Sequence, residues 1–280
     1  MDRRLVITAD DLGVDPDTNA TIVELMRDGV VSATTLIPVA PAAADAVHRL
    51  RAAGLGAPRL HVALSSGREW AEQGWHPIAS NVPSLTEPDG TLPVDAAVAE
   101  HRATVPDVTR ELHAQLGWMR DRNVLPPALD SHSGTLYGIH GRSLAGTAVD
   151  FCAAHGLDFR LPRRLGTVLG LAVRGLRAAH RGAVRRADEL GVRIPELLLS
   201  SWLPGGLIPC YGLLRAEVIA QLACLPRGTS ELIVHPAPRR SVARMRPGDG
   251  RKRVWELRLL RDPAFHRALR REGITIVPAW

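Results

Sequence analysis

The chain has 280 residues, of which 45% are hydrophobic, so it is long and apolar enough for one large α/β domain or two small ones. Its first strand-like run begins within a few residues of the N-terminus, and no apolar run reaches about 18 residues, so we expect neither a secretory signal nor a transmembrane segment. The net charge is +6, but aromatic residues are only 4% of the chain, which argues against a nucleic-acid partner. The three cysteines form no C-x-x-C pair, which argues against a disulfide framework and a thiolate metal site and favours a cytoplasmic protein.

Strand-like and helix-like segments then alternate along nearly the whole sequence. Short β-branched and aliphatic runs predict strands at 5–9, 33–39, 59–64, 128–131, 159–161, 197–199, 231–234 and 274–277. Apolar residues at helical spacing predict helices at 16–28, 42–53, 105–123, 144–155, 173–190, 213–224 and 254–271. About eight strands with helices between them indicate a single domain over residues 1–280 with the fold of a distorted, TIM-barrel-like (β/α) barrel; a doubly wound open sheet is the alternative.

Two adjacent carboxylates, Asp10 and Asp11, end the first predicted strand, where the chain leaves the core for a loop. Two anions side by side repel each other unless a bound divalent cation or a shared proton compensates them, and either arrangement makes a chemical site. The alternative is that one of the two acids caps the following helix, which begins around Asp15, Pro16 and Asp17.

The same layout recurs in three later strands. His61 lies in strand 59–64, Asp130 and His132 lie at or just beyond the end of strand 128–131, and His235 follows strand 231–234. A single histidine in a short strand is more often a hydrogen-bonded core residue than a ligand, but three of them together with the aspartate pair favour a site. Imidazole and carboxylate are the usual ligands of a hydrolytic metal ion, and catalytic residues of a barrel come from the C-terminal ends of several strands. The pattern therefore predicts a metal site, although His61 lies earlier in its strand than the others.

The longest irregular segment follows the strand that contains His61 and runs to about residue 104, as a loop insertion at about 65–104 that is rich in Gly, Pro and Trp. Long loops in compact domains usually serve a function. We expect Trp70 or Trp75 to stack on the apolar face of a sugar ring, with the alternative that both indoles pin the loop to the core.

Five short motifs occur in a characteristic order: T-A-D-D-L-G at 8–13, G-V-V-S-A-T-T at 29–35, H-V-A-L-S-S-G at 61–67, L-D-S-H at 129–132 and H-P at 235–236. This series resembles the YdjC/ChbG-like carbohydrate deacetylases, which include hopanoid-biosynthesis deacetylases and begin with a similar N-A-D-D-F-G. The resemblance implies a distorted (β/α) barrel that removes the acetyl group from an N-acetylated sugar or glycolipid. The commoner family form continues D-S-H-x-H-x-H, whereas this chain reads D-S-H-S-G-T-L, so the later histidines are missing and a subgroup with a different substrate is expected.

The resemblance, carried over residue by residue, implies that Asp11, His61 and His132 bind one divalent metal ion. Asp/His/His ligation suits Zn²⁺, and Mg²⁺ is the alternative. Asp10, adjacent to a ligand but not itself a ligand, would be the catalytic base that takes a proton from water.

Three further residues are candidates on their own chemistry. His235 arrives from a late strand and is expected to protonate the leaving nitrogen or to stabilise the intermediate. Arg160, inside the short strand 159–161, is expected to orient the substrate, with a structural ion pair as the alternative. Asp130 is expected to hold His132 by a hydrogen bond, as metal-bound histidines commonly require.

Two other functional classes stay open at this point. A metal-dependent phosphoesterase would use similar ligands, and the arginine clusters at 160–193 and 239–253 would then contact phosphate. A non-catalytic carbohydrate-binding relative is the second alternative, since barrels are reused for unrelated roles. Asp10 argues against the latter, because a pure binder needs no base beside a ligand. The sequence leaves the oligomeric state open, a homodimer included.

Overall fold

A parallel sheet forms the centre of the fold in the computed structural model, which describes residues 2–165, 177–243 and 245–280. The strands of these residues are β1 (Arg3–Leu12), β2 (Ala33–Leu36), β3 (Arg59–Val62), β4 (Ala128–Ser131), β5 (Asp158–Phe159), β6 (Leu198–Leu199), β7 (Gly228–Val234) and β8 (Thr275–Ile276). They are ordered β5-β4-β3-β2-β1-β7-β6, and β8 pairs with the beginning of β1. β1 to β5 therefore lie side by side in sequence order, β6 lies beside β7, and β7 and β8 both pair with β1.

Helices surround this sheet. In the described residues they are α1 (Pro16–Arg27), α2 (Ala43–Ala52), α3 (Ala96–Arg102), α4 (Val105–Arg120), α5 (Ala145–His155), α6 (Arg177–Leu190), α7 (Tyr211–Ala223), α8 (Pro247–Leu260) and α9 (Pro263–Arg271). None of these helices is both long enough and apolar enough to cross a membrane. The predicted helix 173–190 begins outside the described residues, which resume at residue 177.

The sheet curls until its two outer strands approach each other. Within the described residues no ladder joins β5 to β6, but three backbone hydrogen bonds connect the segments beside them: Phe159 N to Arg193 O (3.0 Å), Arg163 N to Pro195 O (2.8 Å) and Arg164 N to Glu196 O (2.9 Å). A doubly wound sheet would reverse its strand order at a switch point, and this one does not. The prediction of a distorted (β/α) barrel is confirmed.

The first strand, β1, is a buried inner strand of the sheet. β1 pairs with both β2 and β7, and its last eight residues are buried, as expected for a parallel strand that is covered on both faces. The helix that follows is capped by Asp15, whose side chain accepts hydrogen bonds from the backbone N–H groups of Asp17 and Thr18. Neither Asp10 nor Asp11 is needed as a cap, so the capping alternative is wrong.

Two predicted segments differ from the structure. The predicted helix 254–271 is two helices, α8 and α9, because Pro263 lacks an N–H and starts a new helix that Asp262 caps. The predicted loop at 65–104 contains two short 3-10 helices, Arg68–Gln73 and Pro83–Leu85, and all of α3. β3 ends at Val62, which places His61 near the C-terminal end of its strand after all.

Candidate active site

A bulge in β1 brings both aspartates of the D-D pair to the same side of the sheet. β1 carries one extra residue relative to β2 just after Ala9, and Asp11 adopts a left-handed backbone conformation with φ 70°. Adjacent side chains of a regular strand point to opposite faces. Here Asp10 Oδ2 and Asp11 Oδ1 lie 3.9 and 3.6 Å from the same atom, His61 Nε2. Left-handed backbone is unfavourable for a residue with a Cβ, so this strained position is held by the surrounding structure.

Asp11, His61 and His132 converge on one point. Asp11 Oδ1 lies 3.6 Å from His61 Nε2 and 3.3 Å from His132 Nδ1. One donor atom from each residue lies within 4.8 Å of the others, and all three residues are buried. The structure thus brings together the three residues that the sequence singled out as metal ligands.

The donor chemistry of this group fits a divalent cation. His61 Nδ1 donates to Asp130 Oδ1, and His132 Nε2 lies 3.2 Å from the carbonyl oxygen of Ser66, which can only accept. In the neutral form of each ring the other nitrogen therefore carries the free lone pair, and this nitrogen faces Asp11. Both carboxylate oxygens of Asp11 are buried; Arg253 Nη1 lies 2.7 Å from Oδ2, whereas Oδ1 accepts no hydrogen bond from the described residues. Burying a carboxylate oxygen without a partner is costly, and a cation held by Asp11, His61 and His132 would compensate it.

Asp130 supports His61 rather than His132, so the predicted hydrogen bond to His132 is wrong. His61 and Asp130 are paired across β3 and β4 and lie side by side on one face of the sheet. His132 lies just beyond the end of β4, where it reaches Ser66 instead. Burial lowers the pKa of His61, but the carboxylates of Asp130 and Asp10 outweigh this and raise it to about 10. The surroundings of His61 therefore favour a positive charge.

Asp10 is held by a two-pronged ion pair with Arg160. Arg160 Nη1 and Nη2 donate to Asp10 Oδ1 and Oδ2, both at 2.8 Å, and Thr35 Oγ1 donates to Oδ1 at 3.1 Å. Burial raises the pKa of Asp10, but the charges of Arg160 and His61 outweigh this and lower it to about 2. Of the two predictions for Arg160, this geometry favours the ion pair over substrate orientation, because both outer nitrogens are engaged by Asp10.

A second buried layer lies beneath this ion pair and was missed from the sequence. Glu231 Oε1 accepts from Arg59 Nη1 at 2.7 Å and from Thr8 Oγ1 at 2.6 Å, and it lies 3.4 Å from Arg160 Nη1. Arg59 and Glu231 are both at most 3% exposed. The available signal was a charged residue inside a run that otherwise reads as a buried strand, since lone charges are rarely buried without a partner.

His235 lies across the site from His61 and is partnered by Glu256 of α8. His235 Nε2 lies 4.0 Å from Asp10 Oδ2, and its Nδ1 lies 3.7 Å from Glu256 Oε2. The same Glu256 oxygen accepts from the backbone N–H of His235 at 2.7 Å. Burial lowers the pKa of His235, but hydrogen bonding to Glu256 and the charge of Asp11 outweigh this and raise it above its ordinary value. Glu256 was not predicted, because nothing in a helical sequence marks the face that meets a distant strand.

The two tryptophans of the 65–104 segment lie in the core. Trp70 is 5% exposed and Trp75 only 2%. Trp75 packs against the ring of His132, with the ring centroids 5.3 Å apart, and donates from its indole N–H to Gln73. Neither indole presents a face to a sugar, so the stacking prediction is wrong and the alternative, that they pin the segment to the core, describes their position.

The site opens into two recesses of different character. The first, called here the apolar cavity, has a volume of about 190 Å³; Asp10, His61 and His235 face it, and its apolar lining is Ile139, Leu161, Leu165, Leu198, Trp202 and Ile233. The second, called here the polar cleft, has a volume of about 200 Å³; Asp11, His132 and His235 face it, and its charged lining is Glu69, Asp249, Lys252, Arg253 and Glu256. His235 thus stands between the two.

Several curated proteins are similar to this chain along its length. A carbohydrate deacetylase from Geobacillus stearothermophilus is 26% identical over 99% of this chain and 97% of its own. A carbohydrate deacetylase from Homo sapiens is 28% identical over 98% of this chain and 89% of its own.

A solved structure and a protein-family model also match this chain. The crystal structure of a proposed cellobiose-phosphate cleavage protein from Enterococcus faecalis superposes with a TM-score of 0.76 over 99% of this chain and 97% of its own, at 20% identity. That likeness shows the same fold. The sequence model of the YdjC-like protein family matches residues 4–271. The chain therefore belongs to the YdjC-like family.

Proposed function

We propose that this protein is a metal-dependent deacetylase that hydrolyses the acetamide of an N-acetylated sugar or glycoconjugate. The observation that carries the proposal is the meeting of Asp11, His61 and His132 at one point, with Asp10 and His235 beside it. The similar curated proteins are named carbohydrate deacetylases, which supports the same reaction class for this chain.

Asp11, His61 and His132 would hold the cation. A divalent ion bound there supplies a more acidic water and polarises the acetyl carbonyl group. Two imidazoles and one carboxylate suit Zn²⁺, and Mg²⁺ is the alternative. Asp130 orients the imidazole of His61 through Nδ1, which keeps Nε2 directed at Asp11.

Asp10 would take the proton of the attacking water. A carboxylate has about four lone-pair positions; Arg160 occupies two of them and Thr35 a third. The position left free is on Oδ2, the oxygen that lies nearest His61 and His235. With a pKa of about 2, Asp10 is ionised at neutral pH but is a weak base, so it would take a proton from a water that a bound cation makes more acidic; the Arg160 pair fixes its orientation.

His235 would give a proton to the leaving nitrogen. Hydrolysis forms a bond from the water oxygen to the acyl carbon and breaks the C–N bond, so the departing amine must gain a proton. The raised pKa of His235 keeps its imidazole charged over a wider pH range, and Glu256 holds it in place. Its position at both recesses puts it within reach of either side of the substrate.

Incubation of the metal-loaded protein with N-acetylglucosamine-containing sugars and glycolipids tests the proposal. Release of acetate, abolished by Asp10→Asn, is the expected result. Release of phosphate from phosphorylated sugars instead would identify a phosphoesterase. Saturable sugar binding without any product would identify a carbohydrate-binding relative, and either outcome refutes the proposed deacetylation.

A further inference from the structure

Arg253 is a buried cation beside the proposed metal site that the reaction described so far does not use. It lies on α8, is 4% exposed and lines the polar cleft. Its Nη1 lies 2.7 Å from Asp11 Oδ2 and its Nη2 lies 3.3 Å from Glu69 Oε2, while the ring of Trp70 lies 5.2 Å from the guanidinium carbon. These neighbours fix the guanidinium group in position.

One nitrogen of this group lacks an acceptor. Arg253 Nε is buried and donates no hydrogen bond to a described residue, whereas Nη1 is ion-paired with Asp11 Oδ2 and Nη2 with Glu69 Oε2. Buried N–H groups without an acceptor are rare in folded proteins and destabilising. A guanidinium binds carboxylates and oxyanions by charge-assisted hydrogen bonds. The missing acceptor is therefore expected to be an oxygen of a bound molecule.

The position of Arg253 relative to Asp10 indicates which oxygen this is. Asp10, the proposed base, faces the apolar cavity, whereas Asp11 and Arg253 face the polar cleft. When water attacks an acyl carbon from one side, the electrons of the C=O double bond move to the acyl oxygen. An acyl group held between the two recesses, with its oxygen on the side of the polar cleft, would present that oxygen to Arg253.

We propose that Arg253 is a further catalytic residue, which donates hydrogen bonds to the acyl oxygen as it becomes an oxyanion and to the carboxylate of the acetate product. The inference rests on the proposed deacetylation. The electrons return from the oxyanion to the acyl carbon as the C–N bond breaks, the amine leaves with a proton, and acetate stays paired with Arg253. Arg253 loses no proton: burial lowers its pKa, but Glu69 and Asp11 outweigh this and raise it above the ordinary value.

Arg253→Lys tests this role, because lysine keeps a positive charge beside Asp11 but loses the planar set of donors. Arg251→Lys is the matched control, since Arg251 is an exposed residue of the same helix and stacks on Trp255. The metal-loaded proteins are compared for bound metal, for acetate affinity by calorimetry and for turnover. We expect Arg253→Lys to keep its metal, to bind acetate at least about tenfold more weakly and to lose about 10²- to 10³-fold in kcat, the usual effect of removing an oxyanion donor. The control should match the wild type in all three.

Two results overturn the inference. Unchanged acetate affinity and kcat in Arg253→Lys would show that the donors are not used. Loss of metal together with activity would show that Arg253 only holds Asp11. Should the variant not fold, a wild-type crystal soaked with acetate still decides, because an acetate with no oxygen within hydrogen-bond distance of Arg253 refutes the assignment. Acetate bound through Arg253 in a protein that deacetylates no sugar would refute the proposed function and the catalytic role that rests on it, and would leave Arg253 as a carboxylate-binding residue only.

Discussion

Replacing Asp10 by Asn separates the proposed base from the proposed metal ligands. The substitution keeps the size of the side chain but removes its charge, and its amide N–H₂ would face a nitrogen of Arg160 where Oδ1 and Oδ2 now each accept at 2.8 Å. Asp11, His61 and His132 are untouched. We therefore expect a protein that still binds its metal but has lost the group that accepts the proton of water.

Asp10→Asn is expected to lower both turnover and stability, and each loss can be estimated. A positioned general base contributes roughly 10²-fold or more, so kcat should fall by at least about that factor. The pKa of Asp10 lies at about 2 rather than 3.8, and at about 1.4 kcal/mol per pKa unit the ionised form is stabilised by about 2 kcal/mol in the folded protein. Asp10→Asn should therefore lower the free energy of unfolding by an amount of that order.

The stability effect has a defined dependence on pH. Because the pKa of Asp10 is lowered by folding, its contribution is fully present above the unfolded value of 3.8 and is lost as the pH falls through about 2. The difference in unfolding free energy between wild type and Asp10→Asn should be constant at neutral and mildly acidic pH and should shrink below about pH 4. Urea unfolding at a series of pH values measures it.

The decisive assay combines acetate release with elemental analysis of the purified variant. Near-wild-type turnover with a full complement of metal would refute the role of Asp10 as base. Loss of the metal in Asp10→Asn would instead show that Asp10 is a metal ligand. The proposed roles of Asp10 as base and Asp11 as ligand would then have to be exchanged.

Three further outcomes are expected. Asp130→Asn should weaken metal binding by about 10- to 100-fold, because it loosens the imidazole of His61; an unchanged dissociation constant in a metal titration would speak against that support. Glu256→Gln should move the alkaline limb of the pH profile of kcat/KM to lower pH, because the Glu256 carboxylate raises the pKa of His235 and this limb reports loss of the His235 proton. His235→Ala should flatten the same limb. A limb that stays at the wild-type pH in both variants would show that His235 is not the acid. Trp75→Ala should lower the free energy of unfolding by about 3–5 kcal/mol, as measured by denaturant titration, whereas a raised KM for sugar at unchanged stability would restore the stacking role.

Local sequence determined the order of the strands and the residues at their ends. Alternating strand-like and helix-like runs were enough to predict a barrel, and the Asp and His residues near the ends of four of these runs predicted a metal site; the choice of Asp11, His61 and His132 as its ligands came from the resemblance to a known family. The physical reason is that parallel strands in a barrel all direct their C-terminal ends to the same face, so order along the chain already implies proximity in space. The D-D pair could be read in the same way, because neighbouring carboxylates need compensation wherever they lie.

The partners of these residues depended on the tertiary structure. The bulge after Ala9 is a feature of pairing between two strands, and it alone directs Asp10 and Asp11 to one side. The pairing of β3 with β4 places Asp130 beside His61, so Asp130 forms its hydrogen bond with His61 instead of His132. Which side chains of two strands lie side by side depends on the register between the strands, and a shift of one residue turns every side chain to the other face of the sheet.

Contacts between segments that are far apart in the chain could not be predicted from the sequence. Glu256 and Arg253 reach the site from α8, and Trp75 is buried by packing against His132. Local periodicity can mark which face of a helix is apolar, but it carries no information about which strand that face will meet. The residues of the proposed metal site could therefore be named from the sequence and its family resemblance, whereas the charges around them were decided by long-range packing, which brings Arg253 to Asp11 across more than 200 positions of the chain.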